Sequence, residues 1–548
     1  MTGSLRASVV IVGAGPVGMA TALSLGRHGI RTVLLDKHKG INPHPRAHVV
    51  NTRSMELFRR WGIVDGIVED AVSQESARNI VWRTTLTGEE LGRIDVFGDA
   101  ASAATRRHSS PQSIVSCAQN RVQQRLLQQL MELGHTNIRY GARAAGVTQG
   151  PSGVTVDIST DAGSETIEAE YLVVADGASG SISATMGLEM EGLPPFGHQL
   201  NIYFHADLRP LLGDNPAMLV WVLNSTAPGA FIGMDGAHRW TFNIGFDPET
   251  ETVQDYPPAR CIQLIRDAAG VRDLHVDIQS VGTWSFAART ANRYRHGRAF
   301  LAGDAAHQFP PTGGLGMNTG LADADNLAWK LAAVLHGWAS DSLLDTYEAE
   351  RRPVALSSAQ QSVANALNMS EVGIGPSAVA VAGRLESADA SVRAAERAHL
   401  SVAIPRQRGH FDALDQEIGH IYFHDGPPRV VDVATVGARL PHAWILRDGT
   451  PCSTIDLAAS GYILVVGRSG SAWAGKLADS ALGRRIPWTE LTIGRDIELL
   501  NTDPFDIGDD GAVLIRPDGY VAWISGELAV GTRSGAFSED LCAGPSVG

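Results

Sequence analysis

Near the start of the 548-residue chain, the run Gly13-Ala14-Gly15-Pro16-Val17-Gly18 carries the strongest chemical signal. Glycines at these spacings permit a tight turn, a close approach of backbone to a pyrophosphate, and close packing of a helix on a strand. The N-terminus of the following helix then favours the phosphate charge. Asp36 stands 18 residues after Gly18, at the end of a second apolar run. A carboxylate there accepts hydrogen bonds from an adenosine ribose and repels a 2′-phosphate. The bound dinucleotide expected is FAD or NAD, not NADP. A second constellation begins 290 residues after Gly13 and comprises Gly303-Asp304-Ala305-Ala306-His307, Pro310-Pro311 and Gly313-Gly314-Leu315-Gly316-Met317-Asn318. An acid at the end of a buried strand can hold a sugar-alcohol hydroxyl, and the glycines let backbone amides approach a flat ring. The positive end of the next helix can stabilise negative charge on a reduced flavin. NAD has no ribityl chain to use this second site, so FAD is favoured. The similar hexapeptide Gly373-Ile374-Gly375-Pro376-Ser377-Ala378 has no strand before it and is assigned to a loop.

Elements must hold these residues in place. Ser8–Val12 reads as a strand, Met19–Leu25 as a helix, and Thr32–Leu35 as a second strand. Helices are expected over Ser54–Trp61 and Gln119–Leu133, and a buried strand over Tyr171–Val174, ending at Asp176-Gly177. The β-branched and aromatic runs between 195 and 290, such as Leu219–Leu223 and Trp240–Ile244, predict an antiparallel sheet. Tyr203, Phe204, Trp221, Phe231, Trp240 and Phe242 in that sheet are candidates to line a substrate site. Phe300–Ala302 predicts a further buried strand before the second glycine loop. The helix after it carries Leu321, Ala324, Leu327, Ala328, Leu331 and Leu335 at helical spacing. Residues 341–400 read as helices, the composition changes near Ile404, and short strands including Tyr462–Val466 and Ala512–Ile515 mark a separate C-terminal α/β domain. The expected fold class is α/β, or α+β counted over all its domains. A Rossmann-like FAD-binding domain takes 1–75, 105–190 and 285–400 with trailing helices, an antiparallel-sheet substrate domain takes 76–104 and 191–284, and the last domain takes 405–548.

Composition narrows the function. The net charge is −14, from 45 Lys and Arg against 59 Asp and Glu. Phosphate backbones and anionic membrane surfaces repel such a chain, so neither nucleic acid nor a membrane is expected as partner. The four cysteines, Cys117, Cys261, Cys452 and Cys542, form no CxxC, zinc spacing or dithiol pair. They fit a reducing compartment. Glycines interrupt the N-terminal apolar run, which argues against a signal peptide, and a cytoplasmic location is expected. His44 and His48 are four apart, but Pro45 lies between them and no third ligand is evident, so no metal is expected.

The Gly13–Gly18 fingerprint, the Asp176-Gly177 segment and the stretch from Phe300 to Lys330 together resemble the class A flavoprotein aromatic hydroxylases, single-component FAD monooxygenases. Pro45-Arg46-Ala47-His48 through Asn51-Thr52-Arg53-Ser54-Met55-Glu56, with Pro310 to Thr319, is most similar to the 2,4-dichlorophenol and phenol hydroxylase group. Similar enzymes tailor phenolic and polyketide natural products. The likeness covers most of residues 7–360. The C-terminal part resembles the family's thioredoxin-like domain through Leu440-Pro441-His442 and Arg516-Pro517-Asp518-Gly519.

The resemblance implies roles. Gly13, Gly15 and Gly18 would hold the FAD pyrophosphate and Asp36 its ribose, with Arg46 and Gln119 along the cofactor. Asp304 would bind the ribityl or pyrophosphate part, Gly316, Met317 and Asn318 would offer backbone contacts to the isoalloxazine, and Gly303, Pro311 and Gly314 would also belong to the cofactor site. Asp176 would serve FAD and transient NADPH or NADH. Reduced flavin would form a C4a-hydroperoxide that hydroxylates an aromatic ring, with His48, Arg289, Arg293 and Tyr294 as candidates for phenol activation. A homodimer is expected from the family alone. There are departures: Gly180 and Ser183 stand where the family has serine and arginine, and Gln123 replaces a glutamate. Ser469 to Ala474, where a redox pair could lie, holds no cysteine, so that domain is read as structural. The alternatives are Baeyer–Villiger oxidation or epoxidation on the same scaffold and, more remotely, a non-catalytic flavin-binding assembly protein. No WxWxIP segment supports a halogenase, and no cysteine pair near the first helix supports a disulfide reductase.

Overall fold

A computed structural model describes residues 5–526 apart from 99, 214, 215 and 481; Cys542 and the end of the C-terminal domain lie outside the described residues. The strand Leu5–Val12 lies between Thr32–Asp36 and Gly163–Val174, flanked in turn by Thr136–Tyr140 and Ala299–Leu301. These five strands are parallel. The β-branched run around Val9, Val10 and Ile11 is wholly buried, as a parallel strand covered on both faces requires. The helix Pro16–Arg27 covers one face. Because the neighbours of Leu5–Val12 lie on opposite sides of it, a crevice opens beyond its C-terminal end, where Gly13 begins its turn.

The second sheet has eight strands in the order His307–Gln308, Asp277–Ala291, Met190–His205, Arg239–Gly245, Gly229–Gly233, Leu219–Val222, Asn79–Arg83 and Glu90–Asp95. It is antiparallel except where Leu219–Val222 runs parallel to Asn79–Arg83, because the latter strand enters from an earlier excursion of the chain. Leu200, Ile202, Phe204, Phe231, Trp240 and Phe242 pack from one face onto Cys261, Ile265, Ala268 and Ala269 of the helix Pro258–Ala269. On the other face, the outer strands lie under the helices Ala378–Leu385 and Ala390–Arg406, through Trp82, Leu219, Val381, Leu400 and Ile404. These two helices thus pack on the second sheet, whereas Tyr347 and Ala355 of the preceding helix Asp345–Met369 pack into the core of the first.

The C-terminal region builds a four-stranded sheet, Trp488–Thr492, Tyr462–Val466, Ala512–Ile515 and Val521–Ile524, and a three-stranded one. Its core continues into Trp329 and Ala333 of the long helix Leu315–Leu335. A buried ionic seam joins them: Arg516 donates to both oxygens of Glu350 and to Asp518, Lys330 donates to Glu350 at 2.8 Å, and Trp329 Nε1 donates to Asp518 at 3.1 Å. Arg516 and Lys330 hold the Glu350 carboxyl down at about 2 against the effect of its burial. Among the described residues no helix is long and apolar enough to cross a membrane.

Candidate active site

The glycines of the first turn play separate parts. A Cβ on Gly13, whose φ is +104°, would lie 2.2 Å from the Ala175 carbonyl oxygen, and one on Gly18 would lie 1.9 Å from the Gly13 oxygen. Both are fixed by packing. A Cβ on Gly15 would meet nothing within 4 Å, so this glycine faces open space at the start of the helix Pro16–Arg27. That helix has no side-chain cap, which leaves its first amides for an anion. Asp36 accepts hydrogen bonds from the amides of Ala14 and His38, each at 2.7 Å. It closes the turn and keeps a further lone pair on each oxygen for a ligand. Gln123 Nε2 donates to the Ala14 carbonyl at 3.1 Å. A glutamate could not make that bond when ionised.

The second glycine loop is pressed against the first helix. A Cβ on Gly303 (φ +62°) or on Gly320 would strike Val17, and the Gly320 position is 3.0 Å from the Gly303 Cα. Gly314, in the left-handed region, opens the helix Leu315–Leu335 against Val49. Pro311 accepts from the Gly314 amide, and Met317 is buried. Asn318 ties the loop to the segment 43–51: its Oδ1 accepts from the Asn51 amide and the Ser54 hydroxyl, and its Nδ2 donates to the Val49 carbonyl. Asp304 is exposed at the start of this loop. Desolvation raises its pKa, opposed by the positive charges of His307 and Arg46. Behind it, the wholly buried Asp323 accepts from the Gly303 amide, His307 Nε2 and Arg351 Nε. Neither Asp323 nor Arg351 stood out in the sequence; only the three-dimensional arrangement puts them together.

The segment 43–51 crosses from this loop to the eight-stranded sheet. Gln119 donates its amide to the Ala47 carbonyl. His48 hydrogen-bonds Ser116 through Nδ1 at 3.0 Å, and burial lowers its pKa to about 4. It is neutral at ordinary pH and a weak base. Arg46 is exposed toward Asp304.

Other expected residues fall elsewhere. Tyr294 is fully buried behind the loop against His307 and Tyr347, so it cannot reach a substrate. Arg293 is exposed in the turn after Asp277–Ala291. Arg289 lies on that strand opposite Gln308, its Nε buried without a partner. Phe231 and Phe242 stack on each other at 4.5 Å within the core on the far face, where side-chain alternation sends every second residue. Trp221 and Tyr203 occupy the near face. The Tyr203 hydroxyl is already engaged with Arg239 and His205 at 2.8 and 3.1 Å. Asp176 caps the short helix Ile182–Thr185 through the Ile182 amide at 3.3 Å, and its carboxyl fills the space where a Cβ on residue 180 would stand, 2.0 Å away. Gly180 is therefore matched to this carboxylate position. Desolvation raises the Asp176 pKa.

A family profile described as an FAD binding domain matches residues 6–362, and one described as the C-terminal part of aromatic-ring hydroxylases matches 434–539. The chain belongs to the class A flavoprotein aromatic hydroxylases. The hydroxylase is 33% identical over 549 residues to the tetracenomycin A2 monooxygenase-dioxygenase of Streptomyces glaucescens, covering 94% of this chain and 92% of that one. It is 30% identical over 570 residues to the 2,4-dichlorophenol 6-monooxygenase of Delftia acidovorans, covering 95% of each. Among solved structures, the flavin-dependent monooxygenase PieE, in complex with FAD and substrate, superposes with a TM-score of 0.86 at 30% identity over 98% of both chains. FAD is the cofactor, and the residues present fit it: the open approach to Gly15 and the uncapped helix start would suit a pyrophosphate, and the exposed acid Asp304 would suit a polyol.

Proposed function

We propose that the hydroxylase inserts one oxygen atom of O₂ into a phenolic or polyketide-type aromatic ring, with NADPH or NADH as electron donor. The observation that carries this reading is that the segment 43–51 joins the second glycine loop to the eight-stranded sheet, bonded to Asn318 at one end and, through His44, to Ser280 at the other. The names of the relatives support an oxygen-bearing aromatic substrate. FAD, once reduced, supplies the activation of O₂; the chain supplies everything else. Gly13, Gly15 and Gly18 receive the pyrophosphate, Asp36 the ribose, and Arg46 and Gln119 flank the cofactor. Gly303 and Asp304 take the ribityl hydroxyls. The amides of Gly316, Met317 and Asn318, at a positive helix end, stabilise negative charge on the ring, with Pro311 and Gly314 shaping the loop. The substrate lies between this loop and the sheet, near Trp221 and Arg289. Asp176 is left as a helix cap close to the cofactor's adenosine side.

The division of the chain follows the sheets. The parallel five-stranded order is read as a Rossmann-like FAD domain, the eight-stranded sheet as the substrate domain, and the C-terminal region as a thioredoxin-like domain. Its helix Ala472–Asp479 starts beside Ser469 and Ser471 in place of cysteines, so it acts as a strut locked by the Arg516–Glu350 seam. A cytoplasmic homodimer is the working assembly.

The test is NADPH and NADH oxidation by the purified yellow protein with a panel of phenols and polycyclic phenols, with ¹⁸O₂ as oxidant and hydrogen peroxide counted. Stimulated oxidation with little peroxide and one ¹⁸O in the product is expected. Stimulation by ketones with ring expansion, or no stimulation by any aromatic, overturns the reading.

A further inference from the structure

His44 has no part in the roles above, yet the fold brings it to the junction of the two sheets. Its Nδ1 lies 2.6 Å from the Ser280 hydroxyl, and its ring meets the Tyr203 ring edge-on at 6.1 Å. Its Nε2 is 3.6 Å from the point a Cβ on Gly282 would occupy, so the absence of a side chain there leaves room beside this nitrogen. Gly282 pairs across the sheet with Asn201, and Asn201 with Asn243. Asn201 Nδ2 donates to Asn243 Oδ1 at 2.5 Å, and the Asn201 side chain, more than nine-tenths buried, is also a hydrogen-bond partner of His44 that favours its charged form. Burial lowers the His44 pKa, Arg46 adds to this, and Asn201 opposes it. His44 stands on the segment whose other end is tied to the flavin loop, where Asn318 bonds the Asn51 amide and the Val49 carbonyl, so the imidazole lies on the strip that joins loop and sheet. The charged and titratable groups around it are Arg46 on its own segment and Tyr203, with Arg239 and His205 behind it, on the sheet.

We propose that His44, oriented by Ser280, receives the phenolic hydroxyl of the aromatic substrate and takes its proton as the ring is oxygenated. The proposal rests on the hydroxylation reading above. In this role Nδ1–H donates to Ser280 Oγ, which leaves the lone pair on Nε2. The phenol O–H bond breaks with its electron pair left on oxygen, and an N–H bond forms at Nε2. The imidazolium so formed is favoured by its hydrogen bond to the Asn201 side chain. The proton returns to oxygen when product leaves. The polar row His44, Asn201 and Asn243 selects rings that carry oxygen at the edge turned to the sheet.

The test compares wild type, His44→Gln, Ser280→Ala and, as control on the same strand, the exposed Ser285→Ala, all as FAD-loaded enzyme. The probes are phenols of graded acidity that wild type hydroxylates, including one already ionised at the assay pH. For weakly acidic phenols, kcat should fall on the order of 10²-fold in His44→Gln and by less in Ser280→Ala, and the loss should shrink toward nothing for the ionised phenol. A His44→Gln enzyme with wild-type kcat, or one losing equally for every phenol, overturns this role alone. Failure of every phenol to stimulate wild type overturns the hydroxylation reading, and this role with it.

Discussion

The two faces of the eight-stranded sheet use the same strands for opposite ends. On one, Phe204, Phe231, Trp240 and Phe242 close over the helix Pro258–Ala269 and shut out water. On the other, one row runs Gly282, Asn201, Asn243, Ala230, Trp221 and Trp82 across six strands, and the next holds Ser280, Tyr203 and Thr241. Aromatic residues in the sequence suggested a substrate lining, but alternation along each strand assigned most of them to the core. Ala230, Trp221 and Trp82 of that row lie under the helices Ala378–Leu385 and Ala390–Arg406, and the strip beside the segment 43–51 is made of Ser280, Gly282 and Tyr203. A sheet built this way can tolerate change in its site rows while its core face stays fixed, and the two faces should answer mutation differently.

The largest difference is expected from Phe242→Ala. Its ring stacks on Phe231 and is wholly buried, so truncation should lower unfolding stability by about 3–5 kcal/mol. The folded variant should keep its KM for the aromatic substrate. Urea unfolding with steady-state kinetics below the transition reads both quantities; a raised KM with unchanged stability would instead place Phe242 in the site.

Acid should attack the polar side. His410, in the short helix Arg408–Phe411 near the outer strands, is buried, and desolvation lowers its pKa to about 4. An unfolded histidine takes up a proton below about pH 6.5. The folded one resists until the pH nears 4, so its penalty is absent above pH 6.5 and grows as pH falls toward 4. By pH 5 this one group should remove about 2 kcal/mol. The urea midpoint of His410→Gln should therefore depend less on pH between 7 and 5 than that of wild type. Parallel curves would show that this histidine is protonated in the folded state.

How much of this was legible follows from what each part is made of. The FAD turn depends on backbone, and glycine spacing between a strand and a helix announces it. The helix Gln119–Leu133 and the strand Tyr462–Val466 were expected at the bounds the structure gives them, since periodicity and β-branching act locally. Asp323, Arg351 and Glu350 were silent, and Arg516 stood out only within the family-like run Arg516–Gly519, because an ion pair across 166 residues leaves no local pattern. His44 was weighed only as a metal ligand, since its partners Ser280 and Asn201 arrive from distant strands. Tyr294 and Phe231 misled because residue type suggests chemistry while burial decides access.

The smallest expected effect has the opposite sign. Thr241 lies in the row of Tyr203, fully buried, and its hydroxyl has no hydrogen-bond partner in the protein. A buried hydroxyl without a partner carries a desolvation cost of about 1–3 kcal/mol. Thr241→Val keeps the shape and removes that cost, so stability should rise by about 1 kcal/mol, read as a higher urea midpoint with the same slope. If the hydroxyl instead serves the substrate, KM should rise while stability still increases. Loss of stability would mean that the hydroxyl has an internal partner such as a bound water, and Thr241 would then join the core in behaviour despite the face it occupies.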